Sequence, residues 1–271
     1  MRELEKTLCR ILKYAAGLVG KESRNLLAER IRLGVRARSP RWLLLTLLNV
    51  RASIPIKVSG IPITVRTTTP DLEVAINCLN GEFDRLCAAI PTLRHRLITD
   101  AGGYIGTAAI AFARRYPNAT IVTLEPNTAN YHILVRNTAA WPNIVAINSA
   151  LAPEPSVSTL YNRGTGEWGF TLIEKAADCA TSPIETVRCI TIDQIMNQIG
   201  SDGIDILKID IEGGEHALLG RNIGWINKTT GICIELHDQI TPGCSEVWQA
   251  ATAGRNNFAA DGEKQISLEA A

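Results

Sequence analysis

The sequence has no Cys-x-x-Cys pair, no Gly-x-Gly-x-x-Gly in its turn at residues 100–106, no internal repeat or low-complexity tract, and almost no net charge. Each absence removes a class of protein. The seven cysteines are odd in number and scattered, and several sit in apolar runs, such as Cys233 between Gly231 and Leu236. That usage supports neither a zinc site nor a disulfide framework; it predicts reduced, mostly buried thiols in a cytoplasmic protein. The most apolar stretch, Trp42 to Val50, is shorter than the ~20 residues that a membrane-spanning helix needs. The first residues lack the charged, apolar and small-residue order of a secretory leader.

Charge is balanced overall but unevenly placed. Residues 1–51 carry 12 Lys and Arg against 4 Asp and Glu, and the remainder carries 16 against 23. The ordinary reading of such a basic head is a solvated helix surface; the sharper one is peripheral contact with an anionic membrane. The acidic remainder disfavours phosphate backbones, and no Asn-Pro-Pro-Tyr-type block of base-flipping enzymes occurs, so a nucleic-acid substrate is not expected.

The apolar pattern changes period along the chain. Leu4, Leu8, Ile11, Leu12, Ala15 and Leu18 recur at helical spacing, as do residues from Leu26 to Val35. Ser39-Pro40 then starts a helix over Trp42–Val50. Ile54, Ile56, Val58 and Ile61, Ile63, Val65 alternate around Ser59-Gly60, which predicts a β-hairpin. Two short helices are expected over Leu72–Leu79 and toward Ala89. From Leu97 the pattern is strand, helix, strand. Strands are expected at Leu97–Ala101, Ala119–Leu124, Ile144–Asn148, Ile204–Ile209 and Gly231–Leu236. Helices are expected at Ile105–Tyr116, Thr128–Ala140, Ile192–Ile199 and Glu215–Ile226. This is an α/β chain with a mostly parallel, doubly wound sheet. A helix over residues 245–254 and an antiparallel hairpin from Phe258 to Leu268 around Asp261-Gly262 close it. The expected division is an N-terminal helical and hairpin extension, 1–94, and a ligand-binding domain, 95–271. Residues 151–187 look like a long inserted loop of the kind that covers substrates.

Ligands of open parallel sheets bind at the carboxyl ends of the strands. Those ends deliver Asp100 with Gly102, Gly103 and Gly106; Glu125-Pro-Asn127; Asn148-Ser149; Asp210-Ile-Glu212; and Glu235-Leu-His237. Acids gather at one edge. The turn reads Asp-x-Gly-x-x-x-Gly, and an acid at its start repels a pyrophosphate but suits a cationic amino group. S-adenosylmethionine carries one. Glu125 suits its ribose hydroxyls, as strand-end acids do in nucleotide-binding folds.

At these residues the sequence resembles the FkbM-type S-adenosylmethionine-dependent methyltransferases. The resemblance runs from about residue 95 to 265. It rests on Asp100-Ala-Gly-Gly-Tyr-Ile-Gly106, Leu124-Glu-Pro-Asn127 with Asn137, Ile204-Asp-Ile-Leu-Lys-Ile-Asp-Ile-Glu-Gly-Gly-Glu215 and Glu235-Leu-His-Asp238. Tyr104, Gly103 and Gly214 depart from the residues common in that family. The resemblance implies a class I, Rossmann-like methyltransferase fold and O-methylation of a sugar, glycan or secondary metabolite. Asp100, Gly102, Gly103, Gly106, Glu125, Asn127, Ser149 and Glu82 become the candidate cofactor contacts. Asp210 and His237 become the candidate catalytic residues, His237 as a neutral imidazole at pH 7. A divalent metal such as Mg2+ is a further candidate, held by Asp210 and Glu235. Trp168 and Glu212 are candidates for the lid or acceptor side. Glu215 reads as a helix-dipole acid, and His95, His132 and His216 carry no supporting constellation. A homodimer is a further expectation. The alternatives are an NAD-linked oxidoreductase, disfavoured by the missing dinucleotide turn, and a non-catalytic S-adenosylmethionine-binding scaffold.

Overall fold

The computed structural model describes residues 21–259 and 264–270. The helical pattern from Leu4 to Leu18, Cys9 and the Asp261-Gly262 turn lie outside these residues. The chain divides into two compact units, Met1–Ile76 and Asn77–Ala271. The division falls earlier than the expected 94/95 boundary.

In the first unit, helices α1 (Lys21–Arg36) and α2 (Pro40–Leu47) form a pair. The Ser39 hydroxyl accepts a bond from the Trp42 N–H and caps α2; Pro40, which has no N–H, takes its first position. Strands β1 (Ser53–Val58) and β2 (Ile61–Arg66) make the expected hairpin, with Val58 opposite Ile61. Ser59 and Gly60 both adopt positive φ, 51° and 83°, as a tight two-residue hairpin turn requires. Ile54, Ile56, Val58, Ile63 and Val65 are buried, so the period-two pattern selects one face. Helix α3 (Asp71–Leu79) follows. Its first residue, Asp71, receives a forked pair of bonds from the Arg66 guanidinium at 2.9 and 2.8 Å, both side chains being buried.

The second unit continues with α4 (Asp84–Ala89), β3 (Leu97–Ala101), α5 (Thr107–Arg115), β4 (Thr120–Leu124), α6 (Thr128–Thr138) and β5 (Ile144–Ile147). An insertion follows: β6 (Ala150–Leu151), β7 (Ser156–Asn162), β8 (Phe170–Thr171) and β9 (Ser182–Ile190). Then come α7 (Ile192–Ile199), β10 (Ile204–Ile209), α8 (Glu215–Gly220), a 3-10 turn over Ile223–Lys228, β11 (Thr229–Glu235), α9 (Cys244–Ala251), β12 (Asn256–Ala259) and β13 (Lys264–Leu268).

The main sheet has the order β12-β13-β11-β10-β3-β4-β5. Its five central strands are parallel, and β13 and β12 are antiparallel. This is the expected doubly wound sheet with a C-terminal hairpin. The order reverses between β3 and β10, so the ligand crevice belongs at their carboxyl ends. Every residue of β3 and β10 is buried, which is why both read as largely apolar rather than alternating. Leu97, Leu124, Leu207, Ile209, Ile232, Met196, Trp225 and Trp248 pack into the core beneath that edge.

Two expectations change. Residues 151–187 are not an irregular loop. They supply most of a four-stranded sheet, β6-β9-β7-β8, with its own small core of Ala150, Ala152, Leu160, Val187 and Cys189. The run Ser156-Val-Ser-Thr-Leu-Tyr is β-rich and partly exposed, so its weak apolar signal resembled a loop. The single helix expected over Glu215–Ile226 is broken after Gly220, where Asn222 takes a left-handed φ of 53°.

Replacing Asp71 by Ala removes the carboxylate that grips the buried Arg66 guanidinium. We expect about 3–5 kcal/mol of lost stability, read by denaturant melts of the full chain.

Candidate active site

The glycine turn after β3 is closed onto the protein rather than open to a ligand. The N–H groups of Gly102 and Gly103 both donate to the Leu124 carbonyl, at 3.1 and 2.7 Å. The Gly106 N–H donates to the Gly103 carbonyl at 2.7 Å, and Gly106 starts α5 at φ 86°. A Cβ on Gly102 would lie 1.9 Å from the Asp210 carbonyl oxygen, and one on Gly103 would lie 2.2 Å from Thr123 Oγ1. These glycines are required by close packing of the turn on neighbouring strands.

Asp100 is fully buried and does not face the edge. Its carboxylate accepts the Thr123 hydroxyl at 2.8 Å and lies 3.3 Å from Lys208 Nζ. The cation it was expected to meet in a ligand is supplied internally. Sequence reasoning treated the acid alone and missed Lys208, although a lysine inside an otherwise apolar buried strand is itself a signal. Burial pushes Asp100 up, partly offset by Lys208. Lys208 in turn donates to the Gly102 carbonyl at 2.7 Å and lies 3.5 Å from Asp210.

Glu125 sits at the end of β4, almost fully buried. One carboxylate oxygen accepts the Tyr104 N–H and the other the Asn127 N–H, each at 2.9 Å. Tyr104, buried and left-handed at φ 49°, thus ties the glycine turn to Glu125. The Asn130 side-chain amide donates to the same oxygen as Asn127, at 3.4 Å. A carboxylate has about four acceptor positions, so about one remains for a ligand hydroxyl. The buried Asn130 Oδ1 beside it has no hydrogen-bond partner among the described residues and is a second acceptor at the same place. Burial, opposed by these donors, pushes Glu125 up to about 7. Asn127 caps α6, accepting the Asn130 N–H, and donates to Glu185 at 2.6 Å. Ser149 is buried and donates to its neighbour's carbonyl. Neither faces the acids at the ends of β10 and β11.

The chemistry-bearing groups meet there. His237 is buried. Its Nδ1 lies 3.1 Å from Glu215 Oε1, and Glu215 is itself fully buried, its oxygens also accepting the Ile211 and Gly213 N–H groups. Glu215 is therefore not a helix-dipole acid at the surface but the anchor of His237. The other ring nitrogen, Nε2, faces Asp210, Glu212 and Glu235 at 3.9, 3.8 and 4.0 Å. Glu212, left-handed at φ 51°, is held by Arg163 at 2.6 Å. Arg163 also bonds Asp178, and the Thr171 hydroxyl donates to the Glu212 carbonyl. The inserted sheet thus reaches the site through Arg163, which no spacing in the sequence announced. Trp168, in the same loop, is 44% exposed and donates to the Thr165 carbonyl. Glu82 and Glu235 both grip Lys264 at 2.9 Å. His95 pairs with Asp202, apart from this constellation. A separate cavity of about 390 Å3, lined by Glu154, Asp193 and Trp225 among others, holds none of these residues.

Burial works to lower the His237 pKa, but the bond and charge of Glu215, then Glu212 and Asp210, override it and raise it to about 9. The ring is an imidazolium at neutral pH, not the neutral imidazole expected. Burial, reinforced by Asp210, pushes Glu212 up to about 7. Burial acts against ionised Asp210, but Lys208 and then His237 hold it below the usual carboxylate range.

The signs for stability agree. The contribution of His237 is complete below its ordinary value of 6.5 and is lost as pH rises through about 9. Glu212 favours its protonated form in the fold, so its contribution is lost as pH rises from 4.5 through about 7. Thermal melts should therefore fall across this range, and His237→Gln should flatten the upper part. A melting temperature that climbs toward pH 9 would contradict the assignment.

The sequence model of the methyltransferase FkbM domain matches residues 100–253, more than half of the chain. Methyltransferase sdnD of Sordaria araneosa is 28% identical over 156 residues, 45% of this chain and 58% of that protein. The match thus spans well under two thirds of that relative. Among solved structures, a SAM-dependent methyltransferase from Agrobacterium tumefaciens has 12% identity and a TM-score of 0.44, covering 80% of this chain and 70% of that one. Precorrin-6y C5,15-methyltransferase from Geobacter metallireducens has 13% identity and a TM-score of 0.42, covering 74% and 88%. On the domain match, the chain belongs to the FkbM methyltransferase family.

Proposed function

We propose that this chain is an S-adenosylmethionine-dependent O-methyltransferase acting on a hydroxyl of a sugar, glycan or secondary metabolite. The carrying observation is the buried His237, fixed through Nδ1 by Glu215, with Nε2 aimed among three carboxylates at the sheet edge. A hydroxyl acceptor must lose its proton as its oxygen attacks, and this arrangement provides bases beside a cation.

The residues fit the cofactor in part. Glu125 has acceptor capacity left beside the unpartnered Asn130 Oδ1, which suits a ribose diol. Asp100 acts through Lys208, not by contact. When bound, S-adenosylmethionine supplies a sulfonium methyl. Glu212, with a pKa near 7, is the best matched base for the hydroxyl proton, and Asp210 orients the hydroxyl. The His237 imidazolium offsets the negative charge of both. The exposed Trp168 offers a face for an acceptor ring.

A specific observation favours a bound divalent cation as well. Asp210, Glu212 and His237 can each bring a ligand atom within 4.8 Å of the others. A carboxylate on the far nitrogen of a ligating histidine, as Glu215 is here, is the usual support for such a site. Glu212, and not the expected Glu235, has a carboxylate oxygen in this set.

Labelled methyl transfer to a panel of hydroxyl acceptors tests the main reading. Glu212→Gln should lower kcat by about 10²–10⁴ while S-adenosylhomocysteine still raises the melting temperature. Transfer only to amine or carbon acceptors would sink it. For the cation, Mg2+ or Mn2+ titration should release protons and tighten with rising pH, because His237 must give up its proton to ligate. Heat-silent titrations, with activity indifferent to chelator, would remove the metal.

A further inference from the structure

Helix α2 has two apolar faces. Trp42, Leu43 and Thr46 point into the first unit and are buried. Leu44, Leu47 and Leu48 lie on the opposite side and are 58%, 38% and 64% exposed. Arg41 shares that outer side, three residues before Leu44 and seven before Leu48, the spacing of one helical face. Val50 and Leu26 are exposed too. Five of the ten exposed large apolar side chains among the described residues therefore fall between positions 26 and 50. Single exposed leucines need no explanation, but an apolar stripe on the solvent side of a helix does.

The surrounding charge says what covers it. Residues 21–57 carry 9 Lys and Arg and 2 acids, and Arg32, Arg36, Arg38 and Arg41 are exposed. A second copy would bring the same basic groups together. Residues 1–20 are also net basic, 4 against 2. A nucleic acid would meet the arginines but has no use for a row of aliphatic side chains. A bilayer with anionic headgroups satisfies both, receiving leucines at the acyl boundary and arginines at the phosphates. We propose that the α2 outer face, with Leu44, Leu47, Leu48 and Arg41, docks this protein on an anionic membrane surface. No helix among the described residues is long and apolar enough to cross a membrane, so the contact is peripheral.

The test is flotation of the full chain with phosphatidylcholine vesicles, with and without phosphatidylglycerol. Binding is expected only with phosphatidylglycerol, at low salt, and should fade as salt is raised. Leu44→Gln with Leu48→Gln should weaken partition about tenfold or more. Arg38→Glu with Arg41→Glu should abolish the preference for anionic vesicles. All four positions are exposed, and unchanged melting temperatures would confirm that the variants fold. The proposal is overturned by absence of flotation with anionic vesicles at low salt, or by flotation that the leucine changes leave intact. Light scattering that shows a dimer dissolved by those changes would assign the face to a second copy instead. Salt-sensitive RNA capture without vesicle binding would assign it to nucleic acid.

Discussion

The buried ammonium of Lys208 is the interaction on which the carboxyl edge of the sheet depends. It lies between Asp100 and Asp210 and donates to the carbonyl of Gly102. Burial alone would strip its proton, but Asp100 and Asp210 hold it well above the ordinary lysine range. The converse also holds: without the ammonium, two carboxylates would be left close together in a poorly hydrated place. One cation therefore fixes the glycine turn, keeps Asp210 ionised and links the first strand of the sheet to the fourth.

A second layer of charges extends from it. Asp210 faces His237, His237 is fixed by Glu215, and Glu212 is held from the other side by Arg163. Glu235 and Glu82 share Lys264. Each of these acids has a cation nearby, whereas buried Glu125 is satisfied by the Tyr104 and Asn127 N–H groups, and this is how so many carboxylates occupy one sheet edge. The inserted sheet belongs to this pattern. Its own core is small, and it is tied down at its ends: Glu185 to Asn127 and Thr128, and Arg163 to Glu212.

The central fold was legible because its signal is local. Leu97–Ala101, Ile192–Ile199 and Ile204–Ile209 have the expected bounds, since mostly apolar runs define the strands and helical spacing the helix. Strand-end reasoning also brought Asp210, Glu212, Glu235 and His237 to one place. What it missed depends on partners far apart in sequence. Asp100 looked ligand-facing because Lys208, more than a hundred residues later, was out of view. Glu215 looked like a helix-dipole acid because a first helical turn gives no sign of a histidine partner. Arg163 and Lys264 carry no motif, and the period-two signal of β7 was diluted by its serines and threonines.

Main-chain contact, more than side-chain chemistry, sets the distance between the two halves of the site. The Asp210 N–H donates to the Ala101 carbonyl at 3.1 Å, and the Asp210 carbonyl lies against the Cα of Gly102 so closely that a methyl group has no room. The spacing from the glycine turn to position 210 is thus independent of which side chains stand at positions 210, 212 and 237. Such a frame acts as a socket of fixed gauge. Side chains at these positions can be exchanged without re-registering the strands.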